Sequence, residues 1–504
     1  MQATKRIVMN LPNNLKVLAI NITALFRDKE SIAGRSARGG GILAAGSLSE
    51  NLLRFIRNII LARLLAPEAF GLMATIMATV AMAEAFAEVG LKQSIIQNKN
   101  GADKEFLNVI WWVSAFRGII LYLLAFFAAP FIADFLNKPE ATHILRIALI
   151  VILLRGLTSP NIFLLHKELK FSKWVILTQS ASILGILAAI TSAFYLRNVW
   201  ALVLGYVAEA SLIFLFSYIF YPLIPKFQIN LSHAKNIMSF SRKIFGLPIL
   251  MVLYTQMDNF VIGKVLSLST LGLYYLARDL ADMPNKIFAK ISPVFLPAFS
   301  LMQDDKQYLK LTLLKLTEIT ATFVLPFFTF FIVFSQPLLT LIYSPEYSKV
   351  AIPFRIICVF IFLYILSVLM MNVAFATGNP DKFRTASLVR TIVFLIILYP
   401  ATKYFGLIGA SLSVVFSMSL AIVIQIYYLK SLLDINMMEY IRCLVKGIKY
   451  SLIILIPGFV FITFVPLLPS SAVALGAFFC IIAWCFGVST LSRYKNEVPI
   501  YSEH

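Results

Sequence analysis

The chain has 504 residues, of which 60% are apolar and only 13% are charged, and its mean hydropathy is +0.85. Soluble domains contain about 45–50% apolar and about 25% charged residues. This composition excludes a cytosolic enzyme, a disordered protein and a disulfide scaffold, and it predicts an all-α polytopic membrane protein. The formal net charge is +20, and the positions of the Lys and Arg residues along the chain indicate which partner this charge faces.

The amino-terminal segment 1–40 is predicted to be a cytoplasmic tail. It has no uninterrupted apolar core and no small-residue cleavage site, which argues against a cleaved signal. Leu11, Leu15 and Leu18 recur at helical spacing with Lys16 between them. This pattern predicts an amphipathic helix at the membrane surface, and a disordered tail is the alternative.

Fourteen apolar segments follow, each long enough to span about 30 Å of hydrocarbon as a helix. The predicted spans are 42–64, 70–90, 107–128, 144–164, 174–195, 199–223, 240–262, 271–297, 316–335, 353–377, 385–402, 406–429, 450–465 and 472–491. The first span is interrupted by Glu50, Arg54 and Arg57, so a count of thirteen is the alternative.

The basic residues between the spans predict the orientation of the chain. If the amino terminus is cytoplasmic, the inside segments hold 28 Lys and Arg residues and the outside loops hold 5. Such a bias is the positive-inside signal, and it predicts an even number of spans with both termini in the cytoplasm. The basic excess therefore faces anionic lipid headgroups, and no nucleic-acid partner is predicted.

The spans divide into two sets of six and a final pair. We predict a tail (1–40), a first lobe of spans 1–6 (41–223), a linker (224–239), a second lobe of spans 7–12 (240–430), a linker (431–449), spans 13–14 (450–492) and a cytoplasmic tail (493–504). The loops between spans are too short to form a soluble catalytic domain, so an enzyme is not predicted.

An internal repeat supports the two lobes. Residues 57–73 align without gaps to residues 258–274. Because each lobe has an even number of spans, an axis along the membrane normal should relate the two lobes. Four aligned positions are identical and one keeps its charge: Asn58/Asn259, Leu65/Leu266, Gly71/Gly272, Leu72/Leu273 and Arg63/Lys264.

Nineteen charged residues fall within the predicted spans when Arg242 and Lys243, at the start of span 7, are counted with the inside segments. Each costs at least about 2.5–3.5 kcal/mol at the bilayer centre. They must therefore pair with one another or face water. Their positions favour helices that line a wet cavity between the lobes, and ion pairs that hold helices together are the alternative. Spans 1, 2, 7 and 8 carry twelve of them: Glu50, Arg54, Arg57, Arg63, Glu84, Glu88, Asp258, Arg278, Asp279, Asp282, Lys286 and Lys290.

Two stripes within this set are the candidate site. On span 1 the stripe contains Arg54 and Arg57, and on span 8 Arg278, Asp282, Lys286 and Lys290 step by four residues. The five cations are predicted to form the basic lining of the cavity, and an Arg278–Asp282 ion pair is the structural alternative. The candidate residues for coupling to an ion are Glu84, Glu88 and Asp282. No metal or cofactor is predicted, because His and Cys residues show no ligand spacing.

Spans 13 and 14 differ from the others because residues 450–492 contain no charge. A pair of wholly apolar helices outside a six-plus-six repeat predicts a groove for a lipid tail. Helices that pack at the periphery and face lipid are an equal alternative.

Three stretches resemble signatures of bacterial polysaccharide flippases, the Wzx-like polysaccharide transport family of the multidrug/oligosaccharidyl-lipid/polysaccharide exporter superfamily. They are Leu61–Leu72, Glu88–Gln97 and Phe405–Ser413. The resemblance implies two six-helix lobes in a V, with spans 1, 2, 7 and 8 around a central cavity. It also implies a bacterial inner-membrane protein whose substrate is an oligosaccharide unit on undecaprenyl pyrophosphate, with a polysaccharide polymerase or assembly proteins as partners.

The resemblance predicts that the protein flips this lipid-linked unit by alternating access for O-antigen, capsule or exopolysaccharide assembly. Arginine suits a pyrophosphate because its planar fork binds phosphate bidentately and stays charged. A peptidoglycan-precursor flippase and a multidrug antiporter are alternatives within the superfamily, and a membrane glycosyltransferase or polymerase is a distant one.

Overall fold

The computed structural model describes residues 32–86, 91–98, 101–226, 246–465 and 468–493. Regular structure in these ranges is helical throughout, which confirms the all-α prediction. Three short 3₁₀ helices, Pro139–Ala141, Ser292–Val294 and Pro345–Val350, join longer elements. The α-helices are α1 (Ile32–Leu64), α2 (Pro67–Phe86), α3 (Leu91–Gln97), α4 (Lys104–Phe135), α5 (Thr142–Ala148), α6 (Ile150–Leu157), α7 (Asn161–Lys167), α8 (Phe171–Leu196), α9 (Trp200–Phe220), α10 (Gly246–Val265), α11 (Leu268–Ala281), α12 (Met283–Ile291), α13 (Phe295–Ser300), α14 (Lys306–Val333), α15 (Ser335–Ile342), α16 (Ala351–Ala376), α17 (Pro380–Leu433), α18 (Met437–Phe464) and α19 (Pro469–Arg493).

Nine helices within the described ranges are long and apolar enough to cross a membrane. A tenth crossing results if Pro139–Leu157 and Asn161–Lys167, which are bent by 63°, form one broken span. The polytopic membrane architecture is therefore confirmed, whereas the count of fourteen spans stays a prediction. Helices α1 and α10 are not among the nine, because charged and amide residues lower their mean hydropathy.

Helix α17 carries two predicted spans, 385–402 and 406–429, in one run of 54 residues. Gly406 divides it with φ 58° and ψ −141°. This backbone conformation is open to glycine because glycine has no Cβ atom to collide with the chain. Gly406 therefore turns the chain between two helical arms at the position where the sequence predicted a turn between spans.

The two halves of the chain meet where α2 crosses α11. Gly71 of α2 lies against the carbonyl of Leu268, and Gly272 of α11 lies against the carbonyl of Pro67. A Cβ atom at either glycine would overlap the opposing backbone, so the helices approach this closely only because both residues are glycines. The two glycines occupy matching positions of the repeat.

Two basic residues at matching repeat positions also reach from one half to the other. The Nη2 atom of Arg63, at the end of α1, donates to the carbonyl of Leu341 at 2.6 Å. The Nζ atom of Lys264, near the end of α10, donates to Oδ1 of Asn137 at 3.0 Å. Arg63 of the first half therefore bonds to the second half, and Lys264 of the second half bonds to the first. Both hydrogen bonds lie at the end of the bundle where α1 and α10 terminate.

Helices α18 and α19 pack on α14, which belongs to the second half. Lys446 Nζ lies 2.5 Å from Glu318 Oε1, and the indole of Trp484 donates to the carbonyl of Phe323 at 2.9 Å. On the far side, apolar side chains such as Leu455 and Phe459 are exposed, as expected of helices in contact with lipid. A groove for a lipid tail beside these helices stays a prediction.

Several boundaries drawn from the sequence differ from those of the helices. Helix α1 begins inside the predicted tail 1–40, and α18 begins inside the predicted linker 431–449. The predicted surface helix in the tail lies outside the described residues. So do most of the linker 224–239 and nearly all of the segment 493–504.

Candidate functional site

Arg54 is held by two carboxylates within the first half. Its guanidinium lies 2.9 Å from Glu50 Oε1, one turn earlier on α1, and 2.5 Å from Glu209 Oε1 on α9. All three side chains are partly buried, at 30%, 30% and 15% exposure. A charge that is withdrawn from water needs such partners. In this conformation Arg54 therefore connects α1 to α9.

Arg57 lies one turn further along the same helix and has a different environment. Its guanidinium donates to Oδ1 of Asn58 at 3.0 and 3.2 Å, and it makes no ion pair with any described residue. Asp279 and Tyr275, both from the second half, lie within its electrostatic range. The amide of Asn58 donates to Oδ2 of Asp279 at 3.3 Å. Arg57 is thus a cation without a carboxylate partner at the boundary between the halves.

Arg278 pairs with Asp258 of α10, and not with Asp282 as the structural alternative supposed. Asp258 is completely buried, and it also accepts hydrogen bonds from the Tyr274 hydroxyl at 3.3 Å and from the Asn259 backbone N–H at 3.1 Å. The pairing follows from packing, because a fully buried carboxylate needs an opposite charge more than a partly exposed one does. The Arg278 side chain keeps 20% of its surface exposed.

The two lysines of the span 8 stripe have different environments. Lys286 lies 2.5 Å from Oδ1 of Asp279, whereas Lys290 makes no ion pair with a described residue. The helix is interrupted between them and Arg278. Asp282 forms the junction of α11 and α12, and Pro284 at the start of α12 has no N–H to continue the ladder.

The three acidic candidates for ion coupling have different surroundings. Glu84 lies 2.7 Å from Arg155 of α6, inside the first half. Asp282 accepts a hydrogen bond from Asn285 at 2.9 Å and makes no ion pair with a described residue. Glu88 lies outside the described residues. The role in coupling stays a prediction for all three.

A cavity of about 260 Å³ opens beside the span 8 stripe. Among the predicted site residues it is lined by Arg278 and Asp282, but not by Arg54, Arg57, Lys286 or Lys290. All its walls come from α10, α11, α12 and α16, so it belongs to the second half alone. The lining residues are Tyr254, Thr255, Gln256, Asn259, Tyr275, Arg278, Asp279, Asp282, Asn285, Phe360, Ile361 and Tyr364.

Sequence reasoning missed the uncharged walls of this cavity. Tyr254, Gln256 and Tyr364 carry no charge, so a search for intramembrane charges passes over them. One signal was available in the repeat, where Asn259 matches Asn58. Both asparagines use their side-chain amides in the polar region between α1, α10 and α11.

A second cavity of about 260 Å³ lies near the crossing of α2 and α11, with Ala66, Glu68, Lys138 and Leu268 among its walls. Lys138 Nζ lies 2.8 Å from Glu68 Oε1, and this hydrogen bond raises the pKa of Lys138. Lys138 is therefore used in a surface ion pair. Neither cavity offers a metal site, because no group of three metal-binding side chains occurs in the described ranges.

Comparisons with known proteins identify the family. A family model described as "Polysaccharide biosynthesis protein" matches residues 60–352. This is more than half of the chain, so the protein belongs to that family. The resemblance drawn from Leu61–Leu72 and the two other stretches is thereby confirmed.

Particular relatives agree with this assignment. The chain is 23% identical to the lipopolysaccharide biosynthesis protein WzxC of Escherichia coli K12, over 71% of this chain and 74% of that protein. It is 24% identical to the succinoglycan biosynthesis transport protein ExoT of Rhizobium meliloti, over 59% of this chain and 60% of that protein. ExoT is described as a transport protein, in agreement with the prediction that the chain is a transporter and not an enzyme.

A solved structure gives the fold. The lipid II flippase MurJ in an inward closed conformation matches with a TM-score of 0.72 at 15% identity, and the match covers 90% of this chain and 99% of that chain. At this identity the likeness establishes the fold alone. The chain therefore has the multi-pass helical fold of that protein, in agreement with the helices described above.

Proposed function

We propose that the protein moves a lipid-linked oligosaccharide from the cytoplasmic to the outer leaflet of the bacterial inner membrane, for assembly of a surface polysaccharide. The observation that carries this proposal is the family match over residues 60–352. The names of WzxC and ExoT support it, since both refer to polysaccharide biosynthesis and one to transport. The likeness to a lipid II flippase adds a fold suited to a lipid-linked substrate.

A polyprenyl pyrophosphate presents a charged head that cannot enter hydrocarbon unaided. Cations along a hydrated path lower this barrier, and charge-assisted hydrogen bonds hold the phosphate oxygens. Of the five predicted cations, Arg54, Arg278 and Lys286 already have carboxylate partners. We therefore assign the first contact with the pyrophosphate to Arg57 and Lys290, and the other three bind it only if their ion pairs open.

The transport cycle in this proposal is a rocking motion of the two halves. The contacts of Arg63 and Lys264 join the halves at one end, and the crossing of α2 and α11 lies nearby. Opening of that end requires all of these contacts to separate. With both termini in the cytoplasm, this end faces the periplasm, so the described conformation is closed to the outside.

The test uses a strain from which the gene has been deleted. In the deletion strain we expect lipid-linked oligosaccharide to accumulate on the inner leaflet and surface polysaccharide to be lost. Complementation with Arg57→Ala should restore less than a tenth of the surface polysaccharide, and Arg57→Lys should restore an intermediate amount, because lysine keeps the charge but not the bidentate fork. Arg384→Ala is the matched control, because Arg384 is exposed at the start of α17.

Three results of this experiment would change the proposal. Normal surface polysaccharide in the deletion strain would overturn the proposed function. Rescue of a strain that lacks its peptidoglycan-precursor flippase would favour that alternative substrate. If Arg57→Ala is present at the normal level and restores full transport, the assignment of the pyrophosphate to Arg57 is wrong.

A further inference from the structure

The charges of the cavity between α10, α11, α12 and α16 are almost wholly matched inside the protein. Arg278 is neutralised by Asp258 behind it, and Asp279 is neutralised by Lys286. Asp282 remains as a carboxylate without an ion pair among the described residues. The guanidinium of Arg390 lies 3.9 Å from the ring centroid of Tyr254 in the cavity wall, so the cavity and its immediate partners carry a formal charge of about zero. The cavity therefore offers a pyrophosphate group no excess of positive charge.

The uncharged walls of the cavity offer hydrogen-bond donors and acceptors together. Gln256, Asn259 and Asn285 contribute amides, and each amide can both donate and accept. The hydroxyl of Tyr364 makes no hydrogen bond with a described residue, so it is available to a ligand. Phosphate oxygens only accept and an ammonium group only donates, whereas a sugar hydroxyl does both.

Aromatic rings supply the rest of the surface. Tyr254, Tyr275, Phe360 and Tyr364 line the same cavity, and flat apolar faces among a few placed polar groups are typical of small-molecule sites. A sugar ring matches such a wall, because its C–H faces are apolar and its rim is made of hydroxyls. The wall chemistry therefore fits a carbohydrate better than either an anion or a lipid tail.

The second half differs from the first at several of these positions. When the gapless alignment of the repeat is continued, Tyr275, Arg278 and Asp279 fall opposite Ala74, Met77 and Ala78. Asn259 and Asn285 fall opposite the polar residues Asn58 and Glu84, so the repeat supplies the same helices in both halves but only part of the polar set. An asymmetric substrate, with a charged group at one place and a glycan at another, requires an asymmetric site of this kind.

We propose that the cavity between α10, α11, α12 and α16 is the subsite for the first sugar residues of the lipid-linked oligosaccharide, next to the pyrophosphate position at Arg57. The proposal rests on the proposed function. Arg57 lies within electrostatic range of Tyr275 and Asp279, which belong to the cavity wall, so the sugar–phosphate linkage lies at the boundary of the two halves. The carboxylate of Asp282 accepts a hydrogen bond from one sugar hydroxyl, and the hydroxyl of Tyr364 donates a hydrogen bond to another.

The experiment measures binding to the purified full-length protein in lipid nanodiscs. Two probes are used: undecaprenyl pyrophosphate without sugar, and the undecaprenyl-pyrophosphate-linked oligosaccharide extracted from the deletion strain. We expect the wild type to bind both, and to bind the glycosylated lipid more tightly. Asp282→Asn and Tyr364→Phe should each weaken binding of the glycosylated lipid about tenfold, the effect of one lost hydrogen bond, and leave the bare lipid unchanged.

Matched controls carry the same changes outside the cavity. Asp304→Asn and Tyr404→Phe alter exposed residues, and both should bind the two lipids as the wild type does. Arg57→Gln should weaken both lipids, because it acts on the pyrophosphate. This variant separates the subsite for the sugar from the subsite for the phosphate.

Three outcomes would overturn the sugar subsite. Equal weakening of both lipids by Asp282→Asn and Tyr364→Phe would assign the cavity to the pyrophosphate. Unchanged binding of the glycosylated lipid by both variants would remove the cavity from recognition. Binding of tetraphenylphosphonium that is lost in Asp282→Asn, without any effect on the glycosylated lipid, would identify a cation pocket. If the wild type binds neither lipid, the proposed function itself fails, and the subsite with it.

Discussion

Asp258 and Arg278 illustrate how a charge can be kept inside a membrane protein. Asp258 has no exposed surface and is satisfied by a guanidinium, a phenol and a backbone N–H. A buried pair of this kind often adds little net stability, because both charges lose their hydration. Removal of one partner is different, since the other charge is then left buried and unmatched.

We predict that Asp258→Ala destabilises the protein by about 3–5 kcal/mol, because Arg278 loses its counter-charge. The double variant Asp258→Leu with Arg278→Met should recover most of this loss, since it removes both charges and fills the space. The measurement is the thermal denaturation of the purified protein in detergent. Asp304→Ala, in an exposed segment, serves as the control and should leave the midpoint unchanged. A double variant no more stable than Asp258→Ala would contradict the explanation.

The crossing of α2 and α11 shows how the repeat shapes the junction between the halves. Glycines at matching positions, Gly71 and Gly272, each face a carbonyl of the other helix. Close backbone approach is favoured in membranes, where dispersion forces hold helices together more than the hydrophobic effect does. The same feature makes the junction sensitive to a single added methyl group.

We predict that Gly272→Ala shifts the protein toward a state in which α2 and α11 are further apart. Its Cβ atom would overlap the carbonyl of Pro67 unless the helices separate. Spin labels on Ala66→Cys and Ser267→Cys, in a background without the four native cysteines, should report a longer or broader distance. Gly40→Ala is the matched control, because nothing lies within 4 Å of a Cβ atom at Gly40. An unchanged distance in Gly272→Ala would show that the junction absorbs the methyl group by local adjustment.

Orientation in the membrane concerns the whole molecule, and the distribution of Lys and Arg is what predicts it. Reporter fusions after Lys99, Lys170 and Lys382 should give cytoplasmic signals, and fusions after Lys138 and Lys349 should give periplasmic ones, because loops rich in Lys and Arg stay inside. The paired use of a phosphatase and a fluorescent reporter at each site provides an internal control. One inverted pair would break the span map from that point onward.

Composition and periodicity were enough to predict a helical membrane protein, and three short stretches were enough to predict its family. These features are local, since each helix satisfies its own backbone and must be apolar along its length to enter lipid. The turn at Gly406 and the matching positions of Gly71 and Gly272 could also be found in the sequence. The repeat made the last two visible, although it did not reveal that they touch.

The tertiary structure decided most partners of the intramembrane charges, although Glu50 lies one helical turn from its partner Arg54 on α1. Spacing along one helix suggested Asp282 for Arg278, but the partner is Asp258 on another helix, and Arg54 likewise reaches Glu209 on α9. The cost of an unpaired charge in lipid requires some partner, and this requirement can be read from the sequence. Which carboxylate becomes the partner of a given cation depends on how the helices pack side by side. The same packing leaves Arg57 without a carboxylate and gathers amides and tyrosines from α10, α11, α12 and α16 into one cavity.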